Sequence, residues 1–221
     1  ETVASPSENM ESHQTDEDPV VLAALAPETP AVKKRRGLFG GGSSQAKKDK
    51  LRTGPDAREV DYGAVVPFGE IVRSCKSKGK PLGRRIEKAS ARGFALYDTR
   101  LGSEGARTFY ITGFNDGCPR QLTAANVLLG SASMYEQLHY GPFGRHLKAA
   151  ETDRAYEKVK RRICGARSGR PCGAKIKQME KSTFFVSAYA SFGGSKGWSE
   201  MLIHDGEVLA AAMKSNYSTS R

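Results

Sequence analysis

Along the C-terminal three quarters of the chain, apolar residues recur in short alternating or β-branched runs broken by turn residues, and this texture predicts strands. Phe94 to Thr99 (FALYDT) and Thr108 to Phe114 (TFYITGF) are aromatic and β-branched, and the Gly and Ser between them favour an antiparallel pair. Thr183 to Phe192, Ser199 to His204 and Val208 to Met213 form a second group. His204 and Glu207 flank Asp205-Gly206, a two-residue hairpin signal because both turn positions require positive φ.

Between the strand groups the period changes. Pro119 suits a first helical turn, and 119-PRQLTAANVLLG-130 then ends on glycine, which predicts a helix. The stretch 133-SMYE-136 has capping-box spacing, with Ser133 and Glu136 placed to satisfy each other's backbone N–H groups. Thr152 is placed to cap a further helix whose Ala155, Tyr156, Val159 and Ile163 share one face. The order strands, helices, strands predicts an α+β fold: an antiparallel sheet of about five strands with about three helices packed on one side. The domain spans 59–215, with 216–221 as a C-terminal tail.

Residues 1–58 have a different texture and predict a long disordered tether. The first 32 carry seven acids and no Lys or Arg, whereas 33-KKRRGLFGGGSSQAKKDKLR-52 is basic and rich in Gly and Ser. Such blocks bury too little apolar surface to offset the entropy of ordering. Leu38 and Phe39 are the apolar exception and a candidate docking point. The chain begins at Glu1, not Met, which is the expectation for a processed signal or a removed upstream segment. The longest clean apolar run, Val20 to Ala26, falls far short of the roughly 18 residues needed to span a bilayer as a helix.

Charge and sulfur sharpen the picture. The formal net charge is +11, and residues 1–58 hold nine bases and nine acids, so the domain carries the whole excess, 26 bases against 15 acids. The excess gathers in 73-RSCKSKGKPLGRR-85 and between Lys158 and Lys181, where Lys158, Arg161, Arg162, Arg167 and Arg170 are candidate contacts for an anionic surface, polymer or protein. No nucleic-acid motif accompanies them, which argues against specific nucleic-acid binding. In 115-NDGCPRQ-121 a strand-to-helix junction would bring Asp116 and Arg120 beside free backbone N–H groups, a second candidate anion site.

Four cysteines without a C-x-x-C argue against a zinc site and for disulfides in an oxidising compartment. Of the three connectivities, Cys164 with Cys172 and Cys75 with Cys118 is favoured, because 164-CGARSGRPC-172 is a turn-rich loop able to close on itself. The two bridges would contribute roughly 2.5 and 4 kcal/mol in the chain-entropy picture. Bridged cysteines leave no thiolate, which weakens a hydrolase built on Cys75 or Cys118 with His139, His146 or His204.

The stretch 193-GGSKG-197 matches G-x-S-x-G, but it lies between two expected strands and not before a helix, so Ser195 reads as a loop serine. His204 and Asp205 complete a triad only on paper, since neighbouring strand residues face opposite ways. No catalytic residue, metal or cofactor is therefore assigned.

The segments 108-TFYITGFNDGCPRQLTAANVLLGS-131 and 199-SEMLIHDGEVLA-210, following a Gly-Leu-Phe-Gly-Gly linker, are similar to an uncharacterised family of exported bacterial envelope proteins, some of them lipoprotein-like. The resemblance covers roughly residues 65–215. It implies passage to the periplasm and brings no catalytic residues; Glu1 is not a cysteine, so acylation stays open. The expectation that follows is a non-catalytic envelope accessory or assembly subunit acting on a protein partner, with an anion- or nucleic-acid-binding module and a Cys/His or Ser/His hydrolase as alternatives.

Overall fold

The structure, a computed structural model, describes residues 53–86, 93–142, 144, 148–193 and 197–215. The chain divides into Glu1–Lys47 and Lys48–Arg221, and every described residue belongs to the second unit. Leu38, Phe39, His146, Ser195 and the C-terminal tail lie outside the described residues.

The α+β expectation holds, with two antiparallel sheets in place of one. The first comprises β1 (Val72–Arg73), β2 (Arg84–Arg85), β3 (Ala95–Asp98), β4 (Arg107–Thr112) and β5 (Arg120–Ala124), in the order β1-β5-β4-β3-β2. The second comprises β6 (Asn126–Ser131), β7 (Thr183–Tyr189), β8 (Gly197–His204) and β9 (Glu207–Ser215), in that order. Three helices, α1 (Ala132–Tyr140), α2 (Glu151–Cys164) and the single turn α3 (Ile176–Met179), and two short 3-10 turns, Cys75–Ser77 and Gly173–Lys175, complete the described elements.

Strand alternation explains the layering. Phe184, Val186 and Ala188 of β7 join Met201 and Ile203 of β8 in packing against Leu96, Phe109, Ile111 and Leu122 of the first sheet. Phe185 and Leu202, at the intervening positions, pack against Tyr135, Tyr156, Val159 and Met179 from the helices. The second sheet is thus buried on both faces, which is why TFFV and MLI read as continuous apolar runs.

The helix expected over 119–130 is not formed. Its residues make β5, paired with β4 through Phe109↔Leu122 and Thr108↔Thr123, and β6, paired with β7 through Val127↔Ala188. The chain crosses from sheet to sheet at Ala125, whose N–H donates to the Tyr189 carbonyl at 2.8 Å. The local preference of Gln-Leu-Thr-Ala-Ala-Asn is worth a few tenths of a kcal/mol per residue, about, and cross-strand burial of Leu122 and Val127 outweighs it.

Residues 53–68 run along the β1 edge of the first sheet, where Glu59 bridges Arg73, and then over its outer face. Tyr62 stacks on Tyr110 with ring centroids 6.2 Å apart, and Gln121 donates from Nε2 to the Ala64 carbonyl at 2.6 Å. Asp56 pairs with Arg120 at 2.6 Å, so Asp56 and Arg58, assigned to the tether from composition, belong to the folded domain.

The hairpin between β8 and β9 turns at Asp205 (φ 47°) and Gly206 (φ 77°), as its two turn residues require. Asn115 docks against it: its amide donates to the Asp205 carbonyl, and its backbone N–H to Gly206 at 3.2 Å. A Cβ at position 206 would lie 2.2 Å from the Asn115 side chain. Gly206→Ala is expected to lower stability by about 1–3 kcal/mol, from the positive φ and this clash together. In urea titrations, Asn115→Ala should recover only the steric share, so that the double variant costs less than the sum of the singles.

Candidate functional site

Helices α1 and α2 face each other across a set of buried phenol–carboxylate bonds. Tyr135 donates to Asp153 at 2.5 Å, Tyr140 to Glu157 at 2.5 Å and Tyr156 to Glu136 at 2.9 Å. Burial, followed by the adjoining carboxylate, pushes all three phenols far above their ordinary range, so each stays a proton donor. Each carboxylate has a further partner: Asp153 takes Lys214 at 2.7 Å, Glu157 takes Lys160 at 2.8 Å, and Glu136 takes the Cys172 N–H at 3.0 Å.

These bonds replace the capping expected from sequence. Glu136 is buried among Tyr156 and Cys172, leaving no capping box with Ser133; the Ser131 hydroxyl instead accepts from the Met134 N–H at 3.2 Å, and Ser133 donates to Glu180. Thr152 lies inside α2 and donates to Glu200 at 2.7 Å. Asp153 closes the first turn by accepting from the Ala150 N–H at 2.7 Å, the arrangement that suits a carboxylate at a helix N-terminus.

Lys214, on β9, reaches under α2 and lies 2.5 Å from Glu200 as well as against Asp153. His139 stacks on Tyr135 with centroids 3.9 Å apart. Its Nδ1 lies 3.0 Å from the Tyr135 carbonyl, an acceptor only, so Nδ1 carries the proton and the bare Nε2 accepts from Lys214 at 3.3 Å. Burial first, and Lys214 second, hold His139 below the usual histidine range.

A cleft of about 740 Å³ opens above this floor, between α1, α2 and the loop closed by Cys164 and Cys172. Their Cα atoms are 5.4 Å apart, and those of Cys75 and Cys118 are 4.4 Å apart; both bonded pairs are the ones favoured from spacing. The loop is tied to α2 by Lys160, which donates to the Arg170 carbonyl at 2.7 Å, and by the Gly169 N–H on Glu157 at 3.2 Å. Exposed Arg154, Lys158, Arg161 and Arg170 border the opening.

Of the seven charged positions singled out in the sequence, Lys158, Arg161 and Arg170 converge here. Arg162 and Arg167 are exposed but do not line the cleft. Asp116 and Arg120 belong to another structure. The expected strand-to-helix junction is a strand-to-strand turn, so it offers no helix N-terminus. Arg120 is 1% exposed, holds Asp56 and Asp116 at 2.6 and 2.8 Å, and lies 4.2 Å over the Phe114 ring; it is a core ion pair and not an open anion site.

His204 corrects another expectation. Because Asp205 takes a left-handed turn conformation, its carboxylate curls back to 3.1 Å from His204 Nε2, while the Thr183 hydroxyl lies 2.8 Å from Nδ1. The order hydroxyl–imidazole–carboxylate is present, but Thr183 is 1% exposed and cannot meet a substrate, and the half-buried Ser182 hydroxyl stands off at 3.4 Å from the same nitrogen. With all four sulfurs bonded, no cysteine nucleophile remains either. Among the described residues no cluster of His, Cys, Asp or Glu is arranged to hold a metal, and no helix is long and apolar enough to cross a membrane.

Sequence reasoning passed over Asp153, Lys160, Lys214, Tyr135 and Glu200. Two signals were present: Lys160 lies beside Val159 on the apolar side of α2, and Lys214 continues the inward alternation of Ala210 and Ala212. Comparison of the chain with protein-family models, curated proteins and solved structures yields no match.

The shifted groups fix a pH dependence. His139 and His204 are both held low by burial, so the unfolded chain takes protons that the folded one refuses, and stability falls as pH drops from about 6.5. Burial opposes ionisation of Asp153, Asp98 and Glu157, but hydrogen bonds led by Lys214, Arg107 and Lys160 hold them below the ordinary carboxylate range, which extends the loss below about pH 4. Urea midpoints of the His139→Gln, His204→Gln variant should flatten the upper limb only. Lys214→Met leaves Asp153 and Glu200 uncompensated and should cost about 3–5 kcal/mol at neutral pH.

Proposed function

We propose that this chain is a non-catalytic binding subunit of an oxidising compartment outside the cytosol, an accessory or assembly component of a bacterial envelope that holds a protein partner in the α1–α2 cleft. The observation that carries this reading is the state of the cleft floor. Among the described residues of the floor the titratable side chains are engaged: three phenols on three carboxylates, two lysines on those carboxylates, and His139 on Lys214. A general base or nucleophile needs a free lone pair aimed at open space, and this floor spends its lone pairs inward. The two cystines support the address, since such bonds persist where thiols are not kept reduced. The resemblance to exported envelope proteins points the same way.

Affinity capture from a bacterial envelope extract tests the reading. The 221-residue chain used as bait is expected to recover a stoichiometric partner, and the Arg161→Glu, Arg170→Glu bait to lose it. Recovery that ignores the cleft variant, or a turnover activity in the purified chain that needs His139, would count against it.

A further inference from the structure

We infer that the cleft recognises an acidic peptide segment, one whose carboxylates are spaced along an uncharged backbone. This rests on the binding reading above and names the chemistry of the partner.

The first argument is the gathering of unpaired cations at one cleft. Several cations of the domain are neutralised within the fold: Arg58 on Glu70, Arg73 on Glu59, Lys76 on Asp61, Arg107 on Asp98, Arg120 on Asp56. Those on the cleft rim are not. Arg154, Lys158, Arg161 and Arg170 are exposed and make no side-chain ion pair among the described residues. Positions 154, 158 and 161 follow helical spacing, so the three cations line one edge of α2 over about 10 Å, with Arg170 on the opposite wall. Like charges held at such spacing repel one another, and an anionic occupant relieves that repulsion.

The second argument separates a peptide from a dense polyanion. Asp153 and Glu157 lie in the lining, and the Glu157 side chain keeps 20% of its surface open. A sulfated glycan or nucleic-acid backbone, with a charge on every unit, would be pressed against these carboxylates. A peptide with spaced Asp or Glu residues meets the rim with its acids and leaves uncharged backbone against Asp153 and Glu157. Three of the four rim residues are arginines, whose planar fork suits carboxylates. The cleft is also bounded by the cystine loop, which suits a short segment more than a continuous polymer.

The test is fluorescence anisotropy on the 221-residue chain with a short labelled peptide alternating Glu and Ser, its Gln-for-Glu counterpart, heparin and oligo-dT. The Glu peptide is expected to bind, weaken as salt rises, and lose about tenfold with each of Arg161→Glu and Arg170→Glu. Arg84→Glu, an equal change of charge at an exposed site on β2, should leave binding in place. Equal binding of the Gln peptide, loss with Arg84→Glu, or heparin or oligo-dT binding tighter than the peptide through the same arginines would each overturn the proposal. Failure here with partner capture intact removes the acidic-peptide chemistry alone; capture failure with peptide binding intact removes the envelope role alone.

Discussion

A lysine ammonium buried between two carboxylates holds this domain in one arrangement. Lys214 projects from β9 into the layer between the second sheet and α2, and there Asp153 and Glu200 close on it from a helix and a neighbouring strand. Such a set is costly to desolvate and gains stability only when every remaining lone pair is used. Here further donors are present: Tyr135 and the Ala150 N–H bond to Asp153, and Thr152 bonds to Glu200 Oε1. The apolar packing of Phe185 and Leu202 against Tyr156 and Val159 would tolerate small slides of α2 over the sheet. The charged set does not, because a shift along the helix separates Asp153 from Lys214 and Thr152 from Glu200 together.

That registration determines what the opposite side of α2 can present. With Thr152, Tyr156 and Val159 facing the sheet, Arg154, Lys158 and Arg161 are turned outward along one edge. The cystine between Cys164 and Cys172 then supplies the facing wall, since it returns the chain past the end of α2 and lets Lys160 and Glu157 hold the loop from inside. The second bridge joins the turn after β1 to the turn before β5, where Arg120 is enclosed by Asp56 and Asp116. Each bridge therefore stands next to a buried cation that its loop helps to cover.

Much of this was legible in the chain. Aromatic and β-branched runs located β3, β4, β7, β8 and β9, and the Asp205-Gly206 turn fixed their last pairing. The residues 119–130 were not, because a segment able to form a helix alone becomes two strands once Phe109 and Val186 offer partners on two different sheets. Of the site, the outward cations could be found by their density, whereas the floor could not. Tyr135, Asp153 and Lys214 come from three elements up to 79 positions apart, and only the fold brings them within hydrogen-bonding distance. Spacing could not decide Ser133 against Ser131 as the cap of α1 either, since the outcome turned on Glu136 being claimed by Tyr156 and Cys172.

The distribution of charge across the cleft supports the proposed binding role. An active site gains from a group whose ionisation is poised near neutral pH and whose reactive atom is open to the substrate. Here the shifts run the other way: the phenols are driven upward and stay protonated, the carboxylates of Asp153 and Glu157 are driven downward and stay ionised, and His139 is kept neutral. Each group is pushed deeper into the state it already holds, which stabilises a fixed pattern of donors and acceptors and removes proton traffic. A fixed inner pattern beneath exposed rim cations is what the proposed binding role rests on, with the floor selecting the ligand and the rim drawing it in under that proposal.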